Sequence, residues 1–483
     1  MSSSKSSRRL FIKGSALAAA AVATSSFTLV PRHVLGGVSA NGQRIIAPSD
    51  KLNIAAIGCG GKADVNIRQA YNKGSDNMVA LCDVDDRQAK KYRAQFSNAP
   101  YFQDYRQLLD KAGKTFDAVI ISTPDHMHAP IAMAAMQLGK HVYVEKPLTH
   151  DIYEARMLTE AARTYKVVTQ MGNQGSSGDA TRIIEAAIQK GLIGAVHTVY
   201  CWTNRPVWPQ GVRSPKDKGE SQPVPADVNW PLWLGTAPQR DYHEAYMPTR
   251  WRGYWDFGTG ALGDMGCHFM DVPFRALNLK YPTSVECSVG SVYSDFFVEA
   301  FYDDVCPPSS AIHLTFPSND RNVKEIKFSW FDGGIRPQLP DGVEYSDVFR
   351  DIDGGMLFIG SKGMLTGGLF GENPTILPVG KAAGKPLPAP QRPLVDGKED
   401  GHQQQWVKAC KQGYGAYTSS SFDQAGPLTE TVLMGNLATR SYLAREGGKF
   451  TGRKKLLWDG DTMKVTNYDY ANQFVKRAYR AGW

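Results

Sequence analysis

Residues 53–63 read Asn-Ile-Ala-Ala-Ile-Gly-Cys-Gly-Gly-Lys-Ala, and this stretch is the strongest indication of the fold. Residues 53–57 are typical of a buried parallel strand, and the glycines after them favour a tight turn into a helix. Gly58 permits the turn, Gly60 and Gly61 leave room for close backbone approach, and Ala63 takes the position where helix and strand pack closely. The pattern predicts a loop that binds a dinucleotide pyrophosphate at a helix N-terminus.

Strand and helix patterns alternate from this stretch to about residue 172. Short apolar, β-branched runs predict further strands at 78–82, 118–121, 141–144 and 167–171. Helical patterns lie between them, for example at 130–138 and 152–165. Such alternation implies a parallel sheet with helices on both faces. We therefore predict an α/β fold that begins with a doubly wound Rossmann domain over residues 50–172.

A second domain is expected over residues 173–450. Strand-like alternation returns at residues 196–202, 284–292, 310–316, 325–330 and 355–359, and helical patterns follow at 401–410 and 429–445. This spacing predicts an α/β domain with a mostly antiparallel open sheet. Residues 203–258 are rich in Trp and Pro and are interpreted as a long insertion. Residues 451–483 are predicted to form a C-terminal tail.

Asp83 follows the second predicted strand, about 25 residues after the glycines. A carboxylate at this place accepts hydrogen bonds from ribose hydroxyls and repels a 2′-phosphate. It therefore favours NAD over NADP as the cofactor. Asp85 is a rival for the same role, and a solvated loop acid is the structural alternative.

Other polar residues follow later strands or share a helix face. Lys146 comes directly after a predicted strand, where ligands bind in open α/β sheets. Asp264 and His268 are spaced i, i+4, so on a helix the carboxylate could orient the imidazole. Our hypothesis is that Lys146 takes a hydroxyl proton, with His268 supporting it. A solvated lysine and a helix-surface hydrogen bond are the alternatives.

Two motifs resemble signatures of one enzyme family. Glu145-Lys146-Pro147 and residues 264–268, Asp-Met-Gly-Cys-His, are similar to motifs of the Gfo/Idh/MocA oxidoreductases, which include glucose–fructose oxidoreductase and inositol dehydrogenase. The resemblance covers about residues 50–450. It implies a homo-oligomer that pairs through the open sheet of the second domain. It implies a catalytic trio of Lys146, Asp264 and His268, and cofactor contacts from Thr123, Pro124, His128, Glu145 and Asn173.

Three functions remain open on this basis. The first is an NAD-dependent oxidoreductase that transfers hydride from a sugar, sugar derivative or polyol. The second is a redox-neutral glycosidase or lyase that oxidises its sugar transiently, and the third is a non-catalytic sugar-binding protein. Aromatic faces stack on sugar C–H surfaces, so we expect residues 251–256 to form part of the sugar pocket, with Arg252, Tyr254 and Trp255 contacting the sugar. The alternative is that they pack structurally on the second domain.

The first residues of the chain predict export. Residues 7–13, Ser-Arg-Arg-Leu-Phe-Ile-Lys, precede an apolar stretch of small residues, and residues 38–40 are a candidate cleavage site. The stretch is too short and too rich in Ala for a good membrane anchor. We expect residues 1–40 to be a signal for the twin-arginine export machinery, and the protein to be periplasmic or otherwise exported. Because no free NAD is available there, the cofactor should stay bound.

Composition excludes some classes of function. Five of the basic residues behind the formal charge of +8 lie in residues 1–40, which leaves +3 for the remainder. Such a small charge gives no case for nucleic-acid binding. The seven cysteines include no Cys-x-x-Cys pair, so neither a disulfide framework nor a zinc site is expected, and no metal site is predicted.

Overall fold

The computed structural model describes residues 37–38, 44–322, 324–390 and 401–483. The predicted export signal lies outside these residues except for Gly37–Val38, which pairs antiparallel with Arg44–Ile45. These two short strands and the 3-10 turn Pro48–Asp50 belong to one unit, Met1–Lys51. Leu52–Trp483 is a second unit, and it contains both predicted domains.

A six-stranded parallel sheet forms the first domain. Its strands are β1 (Asn53–Ile57), β2 (Asn77–Cys82), β3 (Tyr101–Phe102), β4 (Ala118–Ile121), β5 (His141–Glu145) and β6 (Thr169–Gly172). Their spatial order is β3-β2-β1-β4-β5-β6, and every neighbouring pair is parallel. This is the strand order of a Rossmann domain, so the predicted fold class is confirmed. The strand order reverses beside β1, and the carboxyl ends of the strands form a crevice there.

Helices cover both faces of this sheet. They are α1 (Ala63–Tyr71), α2 (Asp86–Gln95), α3 (Tyr105–Ala112), α4 (His128–Gln137) and α5 (Ile152–Tyr165). The next helix, α6 (Asp179–Gln189), packs instead on the helix Asp271–Ala276 of the second domain. Successive residues of β1 point to opposite faces, as strand geometry requires. Ile54 and Ala56 join the apolar core on the α1 side, whereas Ala55 and Ile57 join the core that continues into the second domain.

The second domain is built on a nine-stranded mixed sheet. Its strands are β7 (Val196–Thr203), β8 (Ser284–Val289), β11 (Ser310–Phe316), β12 (Ile326–Phe331), β13 (Gly354–Gly360), β14 (Gly363–Gly367), β15 (Thr375–Ile376), β18 (Leu456–Asp459) and β19 (Lys464–Val465). Short hairpins β9 (Val292–Asp295) with β10 (Val298–Ala300), and β16 (Arg445–Glu446) with β17 (Lys449–Phe450), stand outside it. The order is β15-β14-β13-β7-β12-β11-β8-β18-β19, and only β7 and β12 pair in parallel. The predicted mostly antiparallel sheet is confirmed.

Two of the remaining helices pack against both domains. The remaining helices are α7 (Pro215–Lys218), α8 (Trp230–Leu234), α9 (Gly260–Phe269), α10 (Asp271–Ala276), α11 (Tyr345–Val348), α12 (His402–Gln412) and α13 (Phe422–Tyr442). Helix α12 packs on α1, and α13 packs between α5 and β8. The end of the chain therefore returns to the Rossmann domain.

Residues 451–483, predicted as a tail, are integrated into the fold. They supply β18 and β19 to one edge of the large sheet, followed by the 3-10 helix Asp469–Phe474. The short, partly polar strands did not give a strong periodic pattern. Among the described residues, no helix has both the length and the apolar character needed to cross a membrane.

Candidate active site

A cavity of about 600 Å³ opens at the carboxyl ends of the Rossmann strands. Residues from both domains line it, which places it at the strand-order reversal where open α/β sheets bind ligands. The predicted site residues in its lining are Gly58, Gly60, Gly61, Asp83, Thr123, Pro124, Glu145, Lys146, Arg252 and His268. Ten of the fifteen predicted site residues therefore line one cavity.

The glycine loop is shaped by backbone contacts. Gly58 has φ +84°, and a Cβ there would stand 2.7 Å from the carbonyl oxygen of Ser122, so only glycine fits. Gly61 has φ +54° and faces open space. Within the described residues, the backbone N–H groups of Gly60, Gly61 and Lys62 donate no hydrogen bond. These free donors at the start of α1 fit the pyrophosphate of a dinucleotide.

The Asp83 carboxylate is fixed by hydrogen bonds from two backbone N–H groups, one of them in the glycine loop. Its carboxylate accepts hydrogen bonds from the backbone N–H groups of Cys59 at 2.7 Å and Asp85 at 2.9 Å. Burial raises the pKa of Asp83 to about 6. Asp85 instead caps α2 and binds the Arg87 guanidinium through both carboxylate oxygens. Asp85 is thus committed to structure, which leaves Asp83 as the better ribose acceptor.

A compact charge cluster lies at the other end of the cavity. The Lys146 ammonium donates to Asp264 Oδ1 at 2.7 Å and to the Asp264 carbonyl oxygen at 2.8 Å. Arg252 Nε donates to the same Oδ1 at 3.0 Å. Burial alone would raise the pKa of Asp264, but Lys146 and Arg252 lower it well below its usual range. The carboxylate is therefore ionised and fixes two cations beside the cavity.

His268 has a different partner from the one that we expected. Its Nδ1 lies 2.8 Å from Asn173 Oδ1, while the Asp264 carboxylate bonds to Lys146 and Arg252. The expected carboxylate–imidazole bond is therefore wrong, because Asp264 turns toward two full charges. Burial and then the positive Lys146 lower the pKa of His268 well below its usual value, so its ring is neutral. With Nδ1–H donated to Asn173, Nε2 remains an acceptor.

Other predicted cofactor residues shape the strand ends. Glu145 accepts from Asn66 Nδ2 at 2.8 Å, so α1 holds this carboxylate in place. His128 contacts the carbonyl oxygens of Thr123 at 2.8 Å and Pro147 at 2.7 Å, which ties the loops after β4 and β5 together. His128 is outside the cavity lining, and its role here is to position those loops.

The predicted sugar contacts separate into two groups. Arg252 lines the cavity, and its guanidinium carbon lies 4.4 Å from the centroid of a Trp251 ring. Tyr254 is 3% exposed and packs edge-on against Tyr246, with ring centroids 4.8 Å apart. Trp255 is 6% exposed and lies near Arg440 of α13. Neither Tyr254 nor Trp255 lines the cavity, so the structure places both in the protein interior.

Phe370 was missed from the sequence. It lines the cavity, and its ring meets His268 edge-on with centroids 4.9 Å apart. Phe370 has φ +56°, a conformation that non-glycine residues rarely adopt. Nothing in the sequence around Phe370 marks it as functional, because the contact joins segments far apart in the chain. Trp251 was included in the predicted sugar segment 251–256, and it does line the cavity.

Both domains match one enzyme family. Residues 52–173 match the oxidoreductase family, NAD-binding Rossmann fold, of the Gfo/Idh/MocA group, and residues 178–295 match its C-terminal alpha/beta domain. The chain belongs to the Gfo/Idh/MocA oxidoreductase family. The resemblance drawn from the two motifs is confirmed, and so is NAD as the cofactor. The glycine loop, its free N–H groups and Asp83 are the residues that fit this cofactor.

Two similar proteins from Shewanella have names that refer to glycoside hydrolysis. The glycosyl hydrolase family 109 protein of Shewanella pealeana is 30% identical over 207 residues, which cover 39% of this chain and 44% of that protein. The alpha-N-acetylgalactosaminidase of Shewanella oneidensis is 29% identical over 204 residues, which cover 39% and 43%. The chain thus matches less than half the length of either relative.

A solved structure shares the fold. The WlbA dehydrogenase from Bordetella pertussis, in complex with NADH and UDP-GlcNAcA, has a TM-score of 0.54. The likeness covers 81% of this chain and 96% of that chain, at 16% sequence identity. This similarity supports the fold, and the chemistry of the site must be argued from its own residues.

Proposed function

We propose that this protein oxidises a hydroxyl-bearing carbon of a sugar, sugar derivative or polyol, with NAD retained between turnovers. The observation that carries this proposal is the shared cavity, which is lined by the glycine loop, by the neutral His268, and by Lys146 and Arg252, the two cations that Asp264 holds. NAD supplies a hydride acceptor when it is bound. The chain itself must orient the hydroxyl, receive its proton and stabilise the negative charge on the oxygen.

The geometry divides these tasks between two side chains. His268 Nε2 is the available acceptor, because Nδ1–H is donated to Asn173 and the ring is neutral. The Lys146 ammonium is an oriented donor that stabilises negative charge on the substrate oxygen as the proton leaves. This differs from our sequence-based hypothesis, which gave the proton to Lys146. Asp264 acts as a positioning residue, since it holds Lys146 and Arg252 in place.

The position of Arg252 favours a substrate with polar groups. Its Nε is bonded to Asp264, and its side chain is 23% exposed at the cavity. The terminal guanidinium nitrogens can therefore donate to hydroxyl or carboxylate oxygens of a carbohydrate. The adjoining Trp251 offers an apolar face of the kind that stacks on sugar C–H groups. The pair recognises a ligand that combines polar edges with apolar faces, as sugars do.

A redox-neutral glycosidase is the second candidate. It is favoured by the two Shewanella relatives, one of which is named as an alpha-N-acetylgalactosaminidase. In such a reaction the sugar carbon would be oxidised, an adjacent bond would break, and the carbon would then be reduced again. His268 and Lys146 would serve the same proton and charge roles in that cycle. The overall reaction would consume no free NAD.

One experiment separates the two candidates. Purified protein with its bound NAD is incubated with sugars and with nitrophenyl α-N-acetylgalactosaminide, without added cofactor. An oxidoreductase gives an oxidised sugar and a rise in reduced-nicotinamide absorbance that a second carbonyl substrate discharges. A glycosidase releases nitrophenol over many turnovers with no net change in absorbance. Protein that binds NAD but does neither would contradict both candidates.

Two further parts of the proposal concern the whole protein. Residues 1–40 are proposed to direct export by the twin-arginine machinery after folding, which would carry bound NAD to the periplasm. A reporter fused behind residues 1–45 that remains cytoplasmic would contradict this.

The open sheet of the second domain is proposed to pair copies of the chain into a homo-oligomer. Light scattering measures the mass of the particle in solution and so tests this proposal.

A further inference from the structure

Trp483 lines the same cavity as the glycine loop, together with Tyr105 and Leu232. Tyr105 begins α3, directly beyond β3 at one edge of the Rossmann sheet, whereas Lys146 follows β5 toward the other edge. The ring centroids of Trp483 and Tyr105 are 6.3 Å apart. Trp483 therefore lies at the end of the cavity away from the charge cluster.

The segment that carries Trp483 is fixed across two parts of the molecule. Arg477 Nη2 donates to Glu154 Oε1 at 2.7 Å and to the His126 carbonyl oxygen at 2.6 Å, both in the Rossmann domain. Arg480 is the second anchor, and it donates to the carbonyl oxygens of Pro231 at 2.7 Å and Gly235 at 3.0 Å. We call residues 477–483 the Trp483 strap. Its anchors bind both the Rossmann domain and the Trp-rich segment.

The indole itself is also held in place. The guanidinium carbon of Arg106 lies 4.2 Å from the centroid of a Trp483 ring. Asp104 in turn accepts from Arg106 Nη2 at 2.8 Å, so this cation is oriented by a neighbouring carboxylate. A cation over an aromatic ring is attracted by the ring's negative face. The side chain thus has a defined position at the cavity.

The order of residues along the cavity indicates which part of NAD would lie beside Trp483. The glycine loop follows the central strand β1 and holds the pyrophosphate, so the two nucleosides extend toward opposite edges of the sheet. The nicotinamide must lie beside Lys146 and His268, because in the proposed reaction His268 takes the hydroxyl proton and Lys146 stabilises the charge on the reacting oxygen. The adenosine therefore extends past Asp83 toward Tyr105, Leu232 and Trp483.

We propose that Trp483 contacts the adenine ring of bound NAD and slows its release. This inference rests on the retained cofactor of the proposed function, and it adds the part of the chain that retains it. An aromatic side chain can stack on the face of a nucleobase, and this contact requires no matching hydrogen bonds. Arg477 and Arg480 are positioning residues in this account, since they hold the strap and not the cofactor.

The test measures the release of NAD from the holoenzyme. Protein loaded with radiolabelled NAD is mixed with excess unlabelled NAD, and the label that stays bound is followed by rapid filtration. We expect Trp483→Ala to exchange about fivefold to 100-fold faster than the wild type, as loss of one base–aromatic contact predicts. Trp483→Phe keeps a ring and should stay within about threefold of the wild type.

Two further variants complete the design. Trp208→Ala removes a half-buried indole outside the cavity lining and should leave exchange unchanged. Arg480→Ala loosens the strap at a residue that does not itself line the cavity, and it should give an intermediate rate. A second measurement is competition against labelled NAD. Trp483→Ala should raise the inhibition constant of AMP and leave the inhibition constant of nicotinamide mononucleotide unchanged.

Two results would overturn the inference. One is exchange in Trp483→Ala that matches Trp208→Ala. The other is equal weakening of AMP and nicotinamide mononucleotide with a fall in melting temperature, which would mean general loosening. All of these measurements use NAD and its halves. A failure of the proposed carbohydrate chemistry would therefore leave them unaffected and would be seen separately.

Discussion

The Rossmann strand ends and the Trp-rich segment build opposite walls of one cavity by different means. At the strand ends, polar side chains enter the cavity because the parallel sheet brings its carboxyl ends together, as with Asp83 and Lys146. In the Trp-rich segment, most aromatic rings pack on each other, and Tyr254 and Trp255 are buried outside the cavity lining. Strand topology therefore identifies the residues that reach the cavity, whereas aromatic composition does not distinguish a sugar-binding surface from a small hydrophobic core.

The largest effect is expected at a strand end. Lys146→Met removes an oriented cation, and loss of one such electrostatic contact costs about 10²–10³ in turnover. NAD content should stay close to the wild-type level, because the glycine loop and Asp83 are untouched. Turnover and bound nicotinamide are both measured on the purified protein. The control is Lys111→Met on the exposed side of α3, and turnover of Lys146→Met equal to that control would exclude a catalytic role for Lys146.

A second prediction compares a buried and a cavity-lining tryptophan of the Trp-rich segment. Trp255→Ala empties a buried position and should lower the free energy of unfolding by about 3 kcal/mol, with little change in the substrate constant. Trp251→Ala, in the same segment but at the cavity, should instead raise the substrate constant. Denaturant unfolding and steady-state kinetics on both variants give the comparison. A selective binding defect in Trp255→Ala would show that Trp255 reaches the sugar after all.

Asp83 gives a smaller effect that depends on pH. Asp83→Ser removes a charged ribose acceptor, so NAD affinity should fall about tenfold, and the preference against NADP should relax. The ionised carboxylate is the better acceptor, and its pKa is about 6. Wild-type NAD binding should therefore weaken as pH falls below about 6, and the variant should lack this step. Calorimetric titration at several pH values measures both effects, and unchanged affinity would return the role to Asp85.

The smallest effect is expected at Asn173. Asn173→Ala removes the acceptor that keeps the proton of His268 on Nδ1, so turnover should fall about threefold to tenfold. Asn173→Asp restores an acceptor and should recover most of the rate, with a shifted pH profile because the new charge favours the imidazolium. Rate–pH profiles of both variants check this. Identical profiles for all three proteins would show that Asn173 does not set the tautomer.

The local sequence pattern was enough to predict the Rossmann strands and the residues that directly follow them. The alternation of apolar runs predicted all but the shortest Rossmann strand, and β1 matches residues 53–57 in full. Lys146, Asp83 and the glycines were found because each directly follows a strand. The partners of Asp264 and His268 could not be found this way. Spacing on α9 puts both on one face, yet Lys146 and Asn173 come from the strand ends of another domain and replace the expected contact.

From the amino-acid sequence alone, the main Rossmann strands, the cofactor loop and the charged groups could be identified, because these follow from short-range periodicity and from where strands end. The folded structure was needed to show which charges pair, that Tyr254 and Trp255 are interior, and that Phe370 and Trp483 reach the cavity. Each of these depends on contacts between segments far apart in the chain. Such contacts are selected by burial and charge pairing in the assembled fold, and no local pattern records them.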